Sequence, residues 1–189
     1  MRGNEMILYI NACVRQESRT KRLAESLLEK LDPPVEEVHL EDIAFPAVDE
    51  AFLNRRDQLL QRGEYGDPMF ALARQFAEAE KIVIAAPYWD LSFPATLKQY
   101  LEQINVVGIT FRYTQEGVPQ GLCKARELYY VTTAGGTYVP DEFGFGNVKA
   151  LAVNFYGIED VKKIQAVGLD IVGADPEKIL QDAIARISP

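Results

Sequence analysis

Compact apolar runs and helix-periodic stretches follow one another along this chain. Ile82–Ala86 is short and apolar enough to be a buried strand, Met6–Cys13, Leu128–Thr133 and Val161–Val167 also read as strands, and Val35–Leu40 alternates enough to be another. Between them, apolar residues return every three or four positions. Leu23, Leu27, Leu28 and Leu31 mark a helix that Ser18 or Thr20 can cap and Pro33-Pro34 ends. Residues 41–67 are polar and mixed, with a helix expected near 49–61, and 68–80 also reads as helical. Leu97, Tyr100, Leu101 and Ile104 mark a helix over 94–106, with Pro94 in its first turn. Val148, Leu151, Ala152 and Phe155 mark another over Asn147–Tyr156, and Gly157 suits the position just past its end. Asp175 caps a last helix, with Pro176 at its first position and Ile179, Leu180, Ala183, Ile184 and Ile187 on one face. Phe111–Leu122 holds Gly117, Pro119 and Gly121 and reads as a hairpin-like excursion.

Strands alternating with helices predict an α/β fold. We expect one domain over residues 1–189, built on a doubly wound five-stranded parallel sheet with helices on both faces. In such sheets ligands bind beyond the carboxyl ends of the strands. Three loops should gather there: Cys13–Thr20, Pro87–Pro94 and Thr133–Tyr138. The loop after the fifth strand carries no comparable signal.

Each loop has a chemical character. The first opens a helix, whose free N–H groups and dipole favour an anion; Ser18 and Thr20 can donate hydrogen bonds to a phosphate, and Arg15 or Arg19 can neutralise it. Lys21 and Arg22 extend this basic cluster. The second loop, Pro87-Tyr88-Trp89-Asp90-Leu91-Ser92-Phe93-Pro94, offers Tyr88, Trp89 and Leu91 as walls and Asp90 as a polar contact for a flat, partly polar ring. The third, Thr133-Ala134-Gly135-Gly136, lets backbone approach a ligand closely. Each also has a plain structural reading: a helix cap with solvated arginines, an aromatic loop packed into core, and a simple turn.

Composition narrows the class. At 189 residues, with 48% hydrophobic and 25% charged positions, the chain can bury a sizeable core. A net charge of -8 argues against nucleic acid or an anionic membrane surface as partner. No apolar run approaches the roughly 18 residues of a membrane span. Met1–Glu5 leads straight into the first strand without a signal-peptide core, and a cytoplasmic location is expected. Cys13 and Cys123 lie far apart, with neither metal-ligand spacing nor a disulfide framework, so no metal site is expected. His39, the only histidine, is expected to be structural and away from the ligand loops.

The ordered set Pro87–Pro94 with Leu97-Lys98, Gly108–Thr114, Thr133–Gly136 and Gly157–Val161 resembles the flavodoxin-like NAD(P)H oxidoreductases that bind FMN, the azoreductases and NAD(P)H:quinone reductases. The resemblance runs over nearly the whole chain. It implies a flavodoxin-like fold, FMN as cofactor and NADH or NADPH as co-substrate. It implies ping-pong transfer to a small-molecule electron acceptor such as a quinone or azo compound, and a homodimer. By position, Ser18, Arg19 and Thr20 resemble the FMN phosphate loop. Tyr88, Trp89, Asp90 and Leu91, following Pro87, resemble the loop against the isoalloxazine ring. Thr133, Ala134, Gly135 and Gly136 resemble the loop on its pyrimidine side. Tyr113 resembles an aromatic that lines the substrate pocket, often from the second subunit. Cys13 stands where a serine is common, and Ala134 where some azoreductases have arginine. No catalytic side chain is assigned, because the flavin carries the redox chemistry; Tyr138 could donate a proton or hydrogen bond to a substrate.

Two other readings compete. Cys13 with Arg19-Thr20 satisfies Cys, five residues, Arg, Ser/Thr, which looks like the low-molecular-weight tyrosine phosphatases, with Asp175 as candidate acid. A flavodoxin-like electron carrier would bind FMN without accepting hydride from a nicotinamide.

Overall fold

The computed structural model describes residues 6–31 and 34–188. Met1–Glu5 and Pro33, one of the two prolines expected to end the first helix, lie outside the described residues. In chain order the elements are β1 (Ile7–Asn11), α1 (Arg19–Leu31), β2 (Val35–His39), α2 (Glu50–Arg62), α3 (Ala71–Glu78), β3 (Lys81–Ala85) and α4 (Ala95–Ile104). There follow β4 (Phe111–Tyr113), β5 (Pro119–Gly121), β6 (Glu127–Thr133), α5 (Phe145–Leu151), β7 (Asp160–Ala166) and α6 (Pro176–Ala185). The sheet is five-stranded, ordered β2-β1-β3-β6-β7, with every pair parallel. The chain leaves β1 for β2 on one side and returns to β3 on the other, which makes the switch point where ligand crevices open. Register holds the carboxyl ends level, with Asn11 opposite Ala85 and Ala85 opposite Val131. The loops after β1, β3 and β6 therefore leave from one edge.

The inner strands β1, β3 and β6 are buried almost end to end because both of their faces are covered, whereas the edge strands β2 and β7 carry Glu36, Glu37, Lys162 and Lys163. Ile7, Tyr9, Val83, Ala85, Tyr129 and Val131 pack under α1 and α6, against Leu23, Leu27 and Leu180. The alternate residues Leu8, Ile10, Ile82, Ile84, Leu128 and Tyr130 face the other side, with Phe76, Leu97 and Tyr100. On that side the Phe76 and Tyr156 rings meet edge to face at 4.9 Å.

Some elements depart from expectation. The segment 68–80 is a 3-10 turn over Pro68–Phe70 followed by α3, because the Asp67 carboxylate takes the Met69 N–H at 2.8 Å and starts a tight turn. Pro94 precedes α4 as its cap, with ψ of 143°, instead of lying in its first turn. The helix expected over Asn147–Tyr156 starts two residues earlier and widens into a π turn over Ala152–Tyr156. The Ala152 carbonyl there accepts from Ile158 N–H at 2.9 Å, and Gly157 turns the chain at φ 75°. The excursion after α4 is the antiparallel β4–β5 hairpin, whose Gly121 packs on Gly157.

Candidate active site

The chain turns out of β1 at Asn11, a buried residue whose side-chain oxygen takes the Cys13 N–H at 2.9 Å and whose amide donates to Glu37 at 2.9 Å. It then crosses to α1. Ser18 is the cap: its Oγ accepts the Lys21 N–H at 3.2 Å, and its carbonyl accepts from Arg22 N–H. The Arg19 and Thr20 N–H groups, at the open end of the helix, have no partner among the described residues. Thr20 does something the sequence did not reveal. Its hydroxyl lies 2.6 Å from that of Thr133, both buried, and locks the first loop to the end of β6.

The second loop is a tight turn. Trp89 and Ser92 exchange backbone hydrogen bonds at 3.1 and 2.7 Å, and Asp90 and Leu91 between them have φ of 49° and 67°. Two left-handed central residues make this the hairpin type of turn that normally takes Asn and Gly. Leucine in that conformation costs roughly 1–2 kcal/mol. The strain is held by the surroundings: Tyr88 N–H donates to the Thr133 carbonyl at 3.1 Å, and Ser92 Oγ donates to the Phe143 carbonyl at 2.6 Å. Trp89 is left half exposed.

The third loop is zipped to the segment after β7. Gly168, Leu169 and Asp170 donate their N–H groups to Gly136, Ala134 and Gly135 at 2.9, 3.2 and 3.0 Å. A Cβ on Gly135 would meet the Asp170 carboxylate, so the bare glycine leaves the space that this carboxylate takes.

These loops enclose a cleft of about 330 Å³. Arg15, Ser18, Arg19 and Thr20 line one end, and Pro87, Tyr88, Trp89, Thr133, Ala134 and Gly135 line the rest. Ten sequence-predicted residues thus line one cleft. Asp90, Leu91 and Gly136 lie beside the cleft without lining it, and neither Tyr113 nor Tyr138 reaches it within one chain. Tyr113 sits on the hairpin, 53% exposed, and Tyr138 is 77% exposed. The cleft also takes Val14, Glu17, Leu169 and Asp170. Leu169 and Asp170 come from the loop that seemed uninformative, since only strand register brings it beside Gly135.

The basic cluster divides. Arg22 pairs with Glu177 of α6 at 2.7 Å and Lys21 lies 3.8 Å from Glu25, so both turn away from the cleft. Arg19 alone reaches across it, to Asp170 at 2.9 Å. His39 is closer to the ligand loops than expected: Nε2 lies 3.2 Å from the Cys13 carbonyl and Nδ1 3.3 Å from Asp42.

The phosphatase pattern does not assemble. Cys13 is 3% exposed, absent from the cleft wall, and directed at the Ala85 carbonyl 3.9 Å away. Burial pushes its thiol up to about 11, the reverse of what a nucleophilic thiolate needs. Asp175 caps α6 by accepting the Lys178 N–H at 3.1 Å. In the folded protein Cys13 should resist iodoacetamide at pH 8 and label only on unfolding; rapid labelling followed by mass spectrometry would contradict this placement.

A larger hollow, about 650 Å³, lies under α2 and is lined by Ile43, Phe45, Phe52, Met69 and Leu72 among others. Its wall is mostly apolar, and its one guanidinium, Arg55, is paired with Asp67 at 3.5 Å. The cleft at the sheet edge instead joins hydroxyls, guanidinium and open helix N–H groups at one end to an aromatic turn and bare backbone at the other. Its Tyr88 hydroxyl is shielded from solvent and has no partner among the described residues. Such an arrangement suits a ring carrying a phosphorylated side chain.

Comparison with known proteins agrees. The family described as having the flavodoxin-like fold matches residues 5–188. The chain belongs to that family. Among its flavodoxin-like relatives, an FMN-dependent NADH:quinone oxidoreductase of Clostridium beijerinckii is 37% identical over 190 residues, covering 95% of this chain and 94% of the relative. A second, from Clostridium acetobutylicum, is 38% identical over 193 residues, covering 95% and 94%. The FMN-dependent NADH-azoreductase of Bacillus anthracis, solved in complex with FMN, superposes with a TM-score of 0.80 at 27% identity, over 96% of this chain and 94% of that one.

Proposed function

We propose that the chain is an FMN-dependent oxidoreductase that uses NADH to reduce quinones and azo compounds. The observation that carries this reading is the cleft at the switch point, with its phosphate-type end and its ring-type end, in a chain 37% identical to an FMN-dependent NADH:quinone oxidoreductase over nearly its whole length. Arg15, Ser18, Arg19 and the open N-terminus of α1 would hold the phosphate. The Trp89–Ser92 turn and the backbone at Ala134 and Gly135 would hold the ring. Bound FMN supplies the redox chemistry, carrying two electrons and a proton from reduced nicotinamide to the acceptor.

The protein's own part is placement and charge. Trp89 and Tyr88 shield one side of the ring site, and the half-exposed Trp89 leaves room for a second ring to enter. Backbone N–H groups of the glycine loop favour negative charge on the pyrimidine side. No side chain is required as nucleophile. The carrier reading is disfavoured because the relatives that cover this chain are named as oxidoreductases.

A homodimer and a cytoplasmic location belong to the same proposal. Tyr113 and Val118 stand 53% and 57% exposed on the β4–β5 hairpin, apolar surface that a second copy would cover. If the partner's hairpin reaches the cleft, Tyr113 becomes a substrate contact that one chain cannot make alone. For location, two free, buried cysteines and the absence, among the described residues, of a helix long and apolar enough to cross a membrane support a reducing aqueous compartment.

The test is a visible spectrum of protein incubated with FMN and desalted, before and after anaerobic NADH. Retained flavin absorbance that bleaches within seconds is expected, with recovery on adding a quinone. Retained flavin that NADH leaves unbleached would point to a carrier, and no retained flavin would overturn the assignment.

A further inference from the structure

Two carboxylates, Glu17 and Asp170, line a cleft whose proposed ligand carries a phosphate. Asp170 is placed there by construction. Its N–H donates to the Gly135 carbonyl at 3.0 Å, and its neighbours Leu169 and Gly168 are bonded to the same loop. Gly135 has no Cβ where the carboxylate lies. From the other rim, Arg19 Nη1 donates to Asp170 Oδ1 at 2.9 Å. The pair therefore spans the cleft from the first residue of α1 to the glycine loop. Both partners are open to water, at 40% and 67% side-chain exposure. An ion pair this exposed is weak and readily exchanged. A phosphate monoester offers a guanidinium more charge and more acceptors than one carboxylate oxygen.

We propose that Asp170 is a specificity-setting latch: it holds Arg19 until a phosphate displaces it, so the preference for phosphorylated over unphosphorylated flavin is set by competition for one guanidinium. This rests on the FMN reading above. The latch lowers affinity for FMN in two ways, by occupying Arg19 and by leaving a like charge near the phosphate. Riboflavin, which has the same ring and sugar chain but no phosphate, feels neither. The Asp170→Asn substitution keeps the backbone bonds and the size of the side chain, removes the charge, and exchanges one acceptor oxygen for an amide NH2, so the ion pair with Arg19 falls to at most a neutral hydrogen bond.

The test titrates flavin-free wild type, Asp170→Asn, Arg19→Gln and the double variant with FMN and with riboflavin, following flavin fluorescence. Asp170→Asn should bind FMN about fivefold tighter, the scale of losing an exposed ion pair, with riboflavin unchanged. The gain should shrink in the Arg19→Gln background and at high salt. FMN affinity that is equal or weaker in Asp170→Asn would overturn the latch, as would FMN and riboflavin shifting together, the mark of a contact to the sugar chain. A gain undiminished without Arg19 would also overturn it, since charge alone would then explain it. If wild type binds neither flavin, the FMN reading fails and takes the latch with it.

Discussion

Replacing Arg19 and Thr20 together by alanine is expected to weaken FMN binding about 100-fold, from the loss of the charge-assisted hydrogen bond of Arg19, about 1.5–3 kcal/mol, with riboflavin affected far less. Arg19 is the one member of the basic cluster at the start of α1 that reaches across the cleft; Arg22 and Lys21 are engaged with Glu177 and Glu25. Thr20 contributes by position. Its hydroxyl is fixed against that of Thr133 at 2.6 Å, at the joint between the phosphate-type loop and the end of β6. Truncating it also strips the Thr133 hydroxyl of its partner, so the thermal midpoint must be recorded alongside. FMN and riboflavin affinities are read by fluorescence quenching. An unchanged FMN affinity in a folded double variant would remove the phosphate assignment. An equal loss for both flavins would mean that the cleft had collapsed, and Arg19→Gln alone would then separate charge from packing.

The largest effect on stability is expected at Gly121, which no ligand argument singles out. It lies on β5, where a Cβ would overlap the Tyr156 carbonyl and the Gly157 amide. Those neighbours are backbone, held by the π turn and by the left-handed Gly157. They cannot rotate away as a side chain would. Gly121→Ala is therefore expected to cost about 3 kcal/mol, the upper end for overpacking, and to lower the melting temperature by roughly 10 °C. A shift within a degree or two would show that the hairpin can lift off the π turn without loss. The same substitution bears on function through Tyr113, which pairs with Pro119 across the hairpin. Displacing the hairpin should disturb the proposed dimer surface before it disturbs flavin binding.

Much of this protein was legible in its amino-acid order, for reasons that are local. The inner strands of a parallel sheet buried on both faces need apolar residues on both sides, and runs such as Ile82–Ala86 announce themselves without any partner in view. Asp175-Pro176 and the leucines of α1 encode caps and faces through spacings of a few residues, and the structure bears them out. The ten cleft residues on the loops after β1, β3 and β6 were legible too, because the carboxyl ends of adjacent parallel strands must share an edge. What spacing could not encode was contact between distant segments. The choice of Ser18 as cap left Thr20 free to pair with Thr133, 113 residues away. The burial that silences Cys13 comes from a cluster it shares with Val83, Ala85 and Val131, which only strand pairing brings near. Asp170 enters the cleft because register sets β7 beside β6 and the glycine loop leaves space for a carboxylate. Local order determined the elements and the edge at which they meet; long-range packing decided which side chains face the cleft, because burial and electrostatic pairing belong to the assembled fold and to no segment of it.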